Sequence, residues 1–193
     1  MKVLVVVDMQ NDFIDGSLGT PEAQAIVPRV VDKIRGVDMD TLVVLTKDTH
    51  GEDYLETLEG KMLPVKHCIE GTPGWSINKD ISHAADYDVR GLRYSGPGLI
   101  KSRIIKHTFG SDVLRDILYR HKKRIEEVEF VGVCTDICVI SNALMARQTL
   151  PNTRIVVDAS CCAGSDIFMH DAALTVMESC QIKVTNWDVN LGE

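Results

Sequence analysis

The sequence predicts an α/β fold, a three-layer α/β/α arrangement around a mostly parallel six-stranded sheet. Three observations carry this. Strand-like runs alternate with helical segments along the chain. The runs are β-branched and continuously apolar, as strands covered on both faces must be. At 193 residues the chain is long enough to bury one full core, so residues 1–193 are expected to form one domain.

The elements follow in order. Residues 2–8 are a valine-rich run closed by Asp8, read as a buried strand. Residues 9–20 hold two glycines and several polar groups, read as a loop. Thr20 is a candidate N-cap and Pro21 suits a first helical turn, so 21–34 reads as a helix. Residues 41–46 form a second buried strand. Residues 47–75 are polar and broken by Gly51, Gly60, Pro64, Gly71, Pro73 and Gly74, and loops of that length inside a domain are usually functional. Residues 76–97 are ambiguous, a stretch suited to covering a pocket or contacting a neighbouring subunit. Strands are expected at 103–106, 128–133, 153–157 and 182–184, and helices at 112–121, 136–148 and 166–180. No internal repeat or low-complexity tract interrupts the pattern.

Composition narrows the function. A net charge of −7 argues against nucleic acid as the main partner, because phosphate binding needs a basic surface. No apolar stretch is long enough to span a bilayer, so no membrane partner is expected. The short run 3–7 lacks a basic flank and a cleavage site, so it is no signal peptide, and a cytoplasmic location is the default. The six cysteines are then expected to stay reduced.

In parallel sheets the ligand site lies beyond the carboxyl ends of the strands. Those ends deliver Asp8, then Asp48 and His50, then Lys106, then Cys134 and Cys138. In Val131-Gly132-Val133-Cys134-Thr135-Asp136-Ile137-Cys138-Val139 an apolar run ends and a polar pair opens a helix. Cys138 would fall in the first turn, where free N–H groups and the helix dipole favour a thiolate. A carboxylate, an ammonium and a thiol on one rim have a simple use: the first takes the thiol proton and the second stabilises the anion. Separately, Asp48-Thr49-His50 presents two ligand-type side chains to one side of an extended segment, and His67 follows among several carboxylates. Two imidazoles with carboxylates suit one divalent metal ion, zinc first, iron or manganese next.

Together these pieces resemble the isochorismatase-like cysteine hydrolases, and within them the nicotinamidase/pyrazinamidase group. The carriers are Val7-Asp8-Met9-Gln10-Asn11-Asp12-Phe13 with Gly16-Ser17-Leu18-Gly19, Asp48-Thr49-His50, His67-Cys68-Ile69-Glu70-Gly71-Thr72-Pro73-Gly74, Lys106-His107-Thr108-Phe109-Gly110-Ser111, and the Gly132–Val139 segment. The resemblance covers nearly the whole chain. It implies an isochorismatase-like hydrolase fold and a catalytic triad at Asp8, Lys106 and Cys138, the nucleophile being the cysteine after the Thr-Asp-x step. It implies metal ligands at Asp48, His50 and His67, with Glu59 the best match to a further glutamate ligand. It also implies a cis peptide at Val133–Cys134. The departures are Leu63-Pro64-Val65-Lys66 where many nicotinamidases approach the last histidine with a Trp-Pro-Pro type segment, and Thr108-Phe109-Gly110-Ser111 where a Tyr-Ser-Ala-Phe type segment is common. They leave the triad positions intact and fall where substrate would be shaped.

The resemblance therefore implies hydrolysis of a small aromatic carboxamide, nicotinamide first, to the acid and ammonia through a thioester. Phe13 is a candidate ring-stacking wall and Leu63 the opposite wall, with Trp75 an outside candidate. The backbone N–H groups of Cys134 and Cys138 are the candidate oxyanion hole. A homo-oligomer is expected. Three other readings share the fold. A metal-free isochorismatase lacks the nucleophilic cysteine, an N-carbamoyl or ureido amidohydrolase uses the triad without a metal, and a non-catalytic scaffold would tolerate loss of triad members. Cys161 and Cys162 read as small packing residues, with redox sensing the lesser option. His83, His121 and His170 read as surface or supporting residues, and His107 could face substrate.

Overall fold

A computed structural model describes residues 1–86 and 102–187. Its six strands form one sheet: β1 (Lys2–Val7), β2 (Leu42–Asp48), β3 (Ser102–Lys106), β4 (Glu127–Val133), β5 (Arg154–Ala163) and β6 (Lys183–Thr185). The spatial order is β3-β2-β1-β4-β5-β6, and every neighbouring pair runs parallel. The predicted sheet is thus wholly parallel. From β1 the chain steps outward through β2 and β3, then returns to the other side of β1 for β4. The strand order therefore reverses between β1 and β4, and a crevice opens above their carboxyl ends.

The two-sided burial is visible in β1. Val3, Val5 and Val7 face one apolar layer, with Leu114, Leu118, Ala143, Ala146, Leu174 and Met177. Those residues come from α5 (Asp112–His121), α6 (Ile140–Thr149) and α7 (Ile167–Ser179). Leu4 and Val6 face the other layer, with Ile26, Val30 and Ile34 of α2 (Pro21–Arg35) and Ile81, Ala84 and Ala85 of α4 (Lys79–Asp86). Each fully buried aliphatic side chain contributes roughly 1.5–3 kcal/mol, so β1 alone anchors both layers. Two further short helices, α1 (Asn11–Ile14) and α3 (Leu58–Met62), lie inside segments that read as loops. Helix starts follow their caps. Thr20 accepts from Ala23 N at 3.0 Å, Ser111 from Leu114 N at 3.2 Å and Asp166 from Met169 N at 2.7 Å.

Three segments refine the sequence reading. The segment after β4 opens as a single π turn over Thr135–Val139 before α6 begins. β5 runs six residues past its expected end at 157. Asp158, the first residue past that end, is buried, held by Lys33 at 2.6 Å and by the hydroxyl of Ser160 at 2.8 Å. Segment 76–97 contributes α4, while residues 87–97 lie outside the described residues. Among the described residues no helix is long and apolar enough to cross a membrane.

Candidate active site

Strand register builds the site. In the β2–β3 ladder Asp48 pairs directly with Lys106, and in the β1–β4 ladder Val7 pairs with Gly132. Lys106, on the last residue of β3, is buried and turns its ammonium inward. Its Nζ lies 2.7 Å from Asp8 Oδ2, 3.1 Å from Asp48 Oδ1 and 3.4 Å from Cys138 Sγ. One ammonium therefore meets all three predicted groups. Asp8 follows β1 in a left-handed conformation at φ 48°. Its other oxygen accepts from the hydroxyl of Thr46 at 2.7 Å, and its own N–H donates back to that hydroxyl at 3.2 Å. Beyond the Lys106 ammonium, Asp8 Oδ2 meets no hydrogen-bond partner among the described residues. It is a buried lone pair left open beside the thiol's ammonium neighbour.

Burial shifts both acids of the triad. Burial pushes the Asp8 carboxyl up; Lys106 pulls it partway back, and Asp48 pushes it up again. Burial and the Asp8 charge push the Cys138 thiol well up, with Lys106 opposing. The structure corrects the expected placement of Cys138 in the first turn of an α-helix. Cys138 is only 5% exposed and sits in a π turn, not the first turn of an α-helix. That environment favours the thiol over the thiolate, and its proton needs an acceptor. Cys134 is pushed up to about 12, by burial first and then by Asp136. The Val133–Cys134 peptide is cis, as the resemblance implied. The amides of Ile137 and Val139, on either side of Cys138, both donate to Cys134 O, at 3.1 and 3.0 Å.

Asp48, His50, Glu59 and His67 form the second constellation. Their ligand atoms all lie within 4.8 Å of one another. His50 Nε2 is 2.9 Å from Asp48 Oδ2 and 3.6 Å from Glu59 Oε1, and His67 Nε2 is 3.5 Å from Asp48 Oδ2. Ligands about 2.0–2.1 Å from a tetrahedral zinc stand about 3.4 Å apart, close to the 3.5 and 3.6 Å separations in this set. His67 Nδ1 is spent on Val65 O at 2.9 Å, which leaves its Nε2 lone pair facing the carboxylates. Burial pushes the Asp48 carboxyl up, but His50, His67 and Lys106 outweigh it and hold it well below the usual carboxylate range. An anionic Asp48 beside two imidazoles fits a divalent cation. Tyr54, fully buried, packs its ring against His50 at 4.6 Å and His67 at 4.9 Å, and its hydroxyl donates to Leu63 O at 3.1 Å.

A cavity of about 340 Å³ opens on both constellations. Its walls include Phe13, Leu18, Leu63, Phe109, Val133 and Ile137, and Asp48, Glu59, His67, Cys134 and Cys138 reach it. Both predicted walls, Phe13 and Leu63, thus line it, and the Phe13 ring also lies 5.5 Å from that of His67. Trp75 and His107 are used elsewhere: Trp75 donates to Thr49 Oγ1 at 2.8 Å, and His107 Nδ1 meets Thr49 O at 3.0 Å. Cys161 and Cys162 are buried in opposite apolar layers. Thr46, Tyr54 and Phe109 carried no assigned role in the sequence. Gln10 sat unassigned in a quoted motif, yet it latches β2, accepting from Asp48 N at 2.7 Å and donating to Asp48 O at 2.9 Å.

The chain belongs to the isochorismatase family, whose domain model matches residues 2–189, and within it to the nicotinamidase/pyrazinamidase group of amidohydrolases. It is 31% identical to a nicotinamidase of Schizosaccharomyces pombe over 94% of this chain and 91% of that one. It is 27% identical to the nicotinamidase/pyrazinamidase of Mycobacterium tuberculosis over 95% and 98% of the two chains. Among solved structures, the pyrazinamidase of Pyrococcus horikoshii in complex with zinc shares the fold with a TM-score of 0.74, at 24% identity over 96% of this chain and 99% of that one.

Proposed function

We propose that the protein hydrolyses a small aromatic carboxamide, nicotinamide first, to the carboxylic acid and ammonia, with Cys138 as nucleophile. The observation that carries this is the position of Lys106 Nζ, within 3.4 Å of Cys138, 3.1 Å of Asp48 and 2.7 Å of Asp8, beside an apolar cavity of ring-binding character. The named relatives act on the same substrate class.

The chain's residues divide the work as follows. Asp8 takes the Cys138 proton while Lys106 steadies the sulfur anion, which attacks the amide carbon. N–H groups of Cys134 and Cys138 receive the oxyanion, each well-aimed donor contributing about 3 kcal/mol. Asp8 returns the proton to the nitrogen, the C–N bond breaks and ammonia leaves a thioester. Asp8 then takes a proton from water, whose oxygen attacks the thioester carbon. The C–S bond breaks, the acid departs and the thiol is restored. Phe13 and Leu63 hold the ring between them. Asp48, His50 and His67, with Glu59 as the fourth ligand, would hold a divalent metal, zinc first, which supplies a Lewis-acidic point for a ring nitrogen.

The test is ammonia release from nicotinamide, with an N-carbamoyl amine as the competing substrate. Cys138→Ala should abolish release and Cys134→Ala should be far milder. Retained activity in Cys138→Ala overturns the nucleophile. Preference for the carbamoyl compound, with indifference to chelation, overturns the metal-assisted carboxamide reading.

A further inference from the structure

Asn142, on the first turn of α6, is buried with no solvent exposure, yet lines neither constellation. Its amide is used in three directions. Nδ2 donates to Cys138 O at 2.7 Å and to Phe109 O at 3.0 Å, and Oδ1 accepts from Ser111 N at 3.1 Å. The three partners are backbone groups of two segments that are remote from each other in sequence. One is the nucleophile's own residue. The other two belong to the turn that leaves β3 immediately after Lys106 and carries Phe109, a cavity wall. The orientation is fixed by chemistry, since two carbonyl oxygens need donors and one N–H needs an acceptor.

We propose that Asn142 is a positioning residue that clamps the Cys138 turn to the Lys106–Ser111 segment, setting both the sulfur–ammonium distance and the place of the Phe109 wall. This rests on the reading of Cys138 as nucleophile. A side chain cannot be left out of such a junction without loss. An uncompensated buried carbonyl or amide favours any shift that finds it a partner, and a shift here moves the sulfur away from Lys106. Asn142→Asp keeps the shape but points an acceptor at two carbonyl oxygens. Asn142→Ser keeps a polar group too short to bridge both segments.

The experiment compares these two variants with Ile155→Ala, a core truncation at the opposite end of the sheet. It reads thermal unfolding, kcat and KM for nicotinamide, and the rate at which iodoacetamide alkylates Cys138, followed on its own peptide. The expected result is a fall in kcat of roughly 10- to 100-fold in a folded Asn142 variant. The alkylation rate should fall severalfold in parallel, while Ile155→Ala unfolds earlier with kcat and alkylation unchanged. Wild-type kcat and alkylation in a folded Asn142 variant overturn the clamp. So does a loss no greater than Ile155→Ala shows at equal stability, and so does failure of both variants to fold, which would make Asn142 a folding residue only. If the wild type releases no ammonia, the substrate reading has failed, and the alkylation rates still decide the clamp.

Discussion

Thr46 shows how much of this site depends on groups that do no chemistry. Its hydroxyl donates to Asp8 Oδ1 and accepts from Asp8 N, so one buried side chain fixes both the carboxylate's rotation and its left-handed backbone. Thr46→Val keeps the shape and removes both bonds. The expected cost is about 1–3 kcal/mol, because a buried amide and a carboxylate oxygen lose their partner; urea unfolding measures it. Activity should fall by less than the ~100-fold or more expected for Asp8→Asn, which removes the proton acceptor itself. A Thr46→Val enzyme as stable as wild type would show that the hydroxyl bonds contribute nothing. Asp8 and Lys106 stood out in the sequence because each is a charged residue closing an apolar strand, while Cys138, in the turn beyond β4, was picked out by its resemblance to a family motif. Thr46 was not, because threonine is at home in a strand and its role appears only when β1 lies beside β2. Asn142 was hidden for the same reason: a polar residue in a helical stretch gives no sign of which carbonyls will face it.

At the scale of elements, β4 and β5 account for the gap between expectation and structure. Gly132 sits at φ 116°, where its ladder with β5 shifts register, and a Cβ there would stand 2.1 Å from Val7 O. Only glycine lets β4 approach β1 so closely just before the nucleophile turn. The extension of β5 was illegible because it depends on a partner from another layer. Lys33 of α2 reaches Asp158 at 2.6 Å and Glu129 at 2.9 Å, so a carboxylate is buried within the strand. Burial pushes the Asp158 carboxyl up, but hydrogen bonds from Lys33, Asn186 and Ser160 outweigh it and hold the group below its usual value. A carboxyl depressed in the folded state stabilises above its unfolded pKa of about 3.9, and that contribution is lost as pH falls through the folded value. Asp158→Asn should therefore cost about 1.5–3 kcal/mol at pH 7, and the gap from wild type should close below about pH 4. Urea midpoints across that range test it; a gap that widens on acidification would reverse the assignment.

For the whole molecule, the two constellations are joined through Asp48, which gives one oxygen to Lys106 and the other to the two imidazoles. The four metal-type ligands come from the end of β2 and from the long segment through α3 to His67, a stretch with few apolar anchors of its own beyond Tyr54. A cation there would cross-link that segment to the sheet, so metal binding and global stability are linked by mass action. Chelated protein should unfold at a lower temperature, and zinc add-back should restore the loss, by about 4 kcal/mol when free zinc is 1,000 times its dissociation constant. The linkage also separates binding from chemistry. His67→Ala should lose the zinc-dependent shift along with activity, because a ligand is gone. Cys138→Ala should keep the full shift and lose activity, because the sulfur touches Lys106 and belongs to no ligand pair. The discriminating measurement is the unfolding temperature of both variants with and without zinc. An unchanged shift in His67→Ala would place any bound metal elsewhere, and an abolished shift in Cys138→Ala would draw the nucleophile into the metal site.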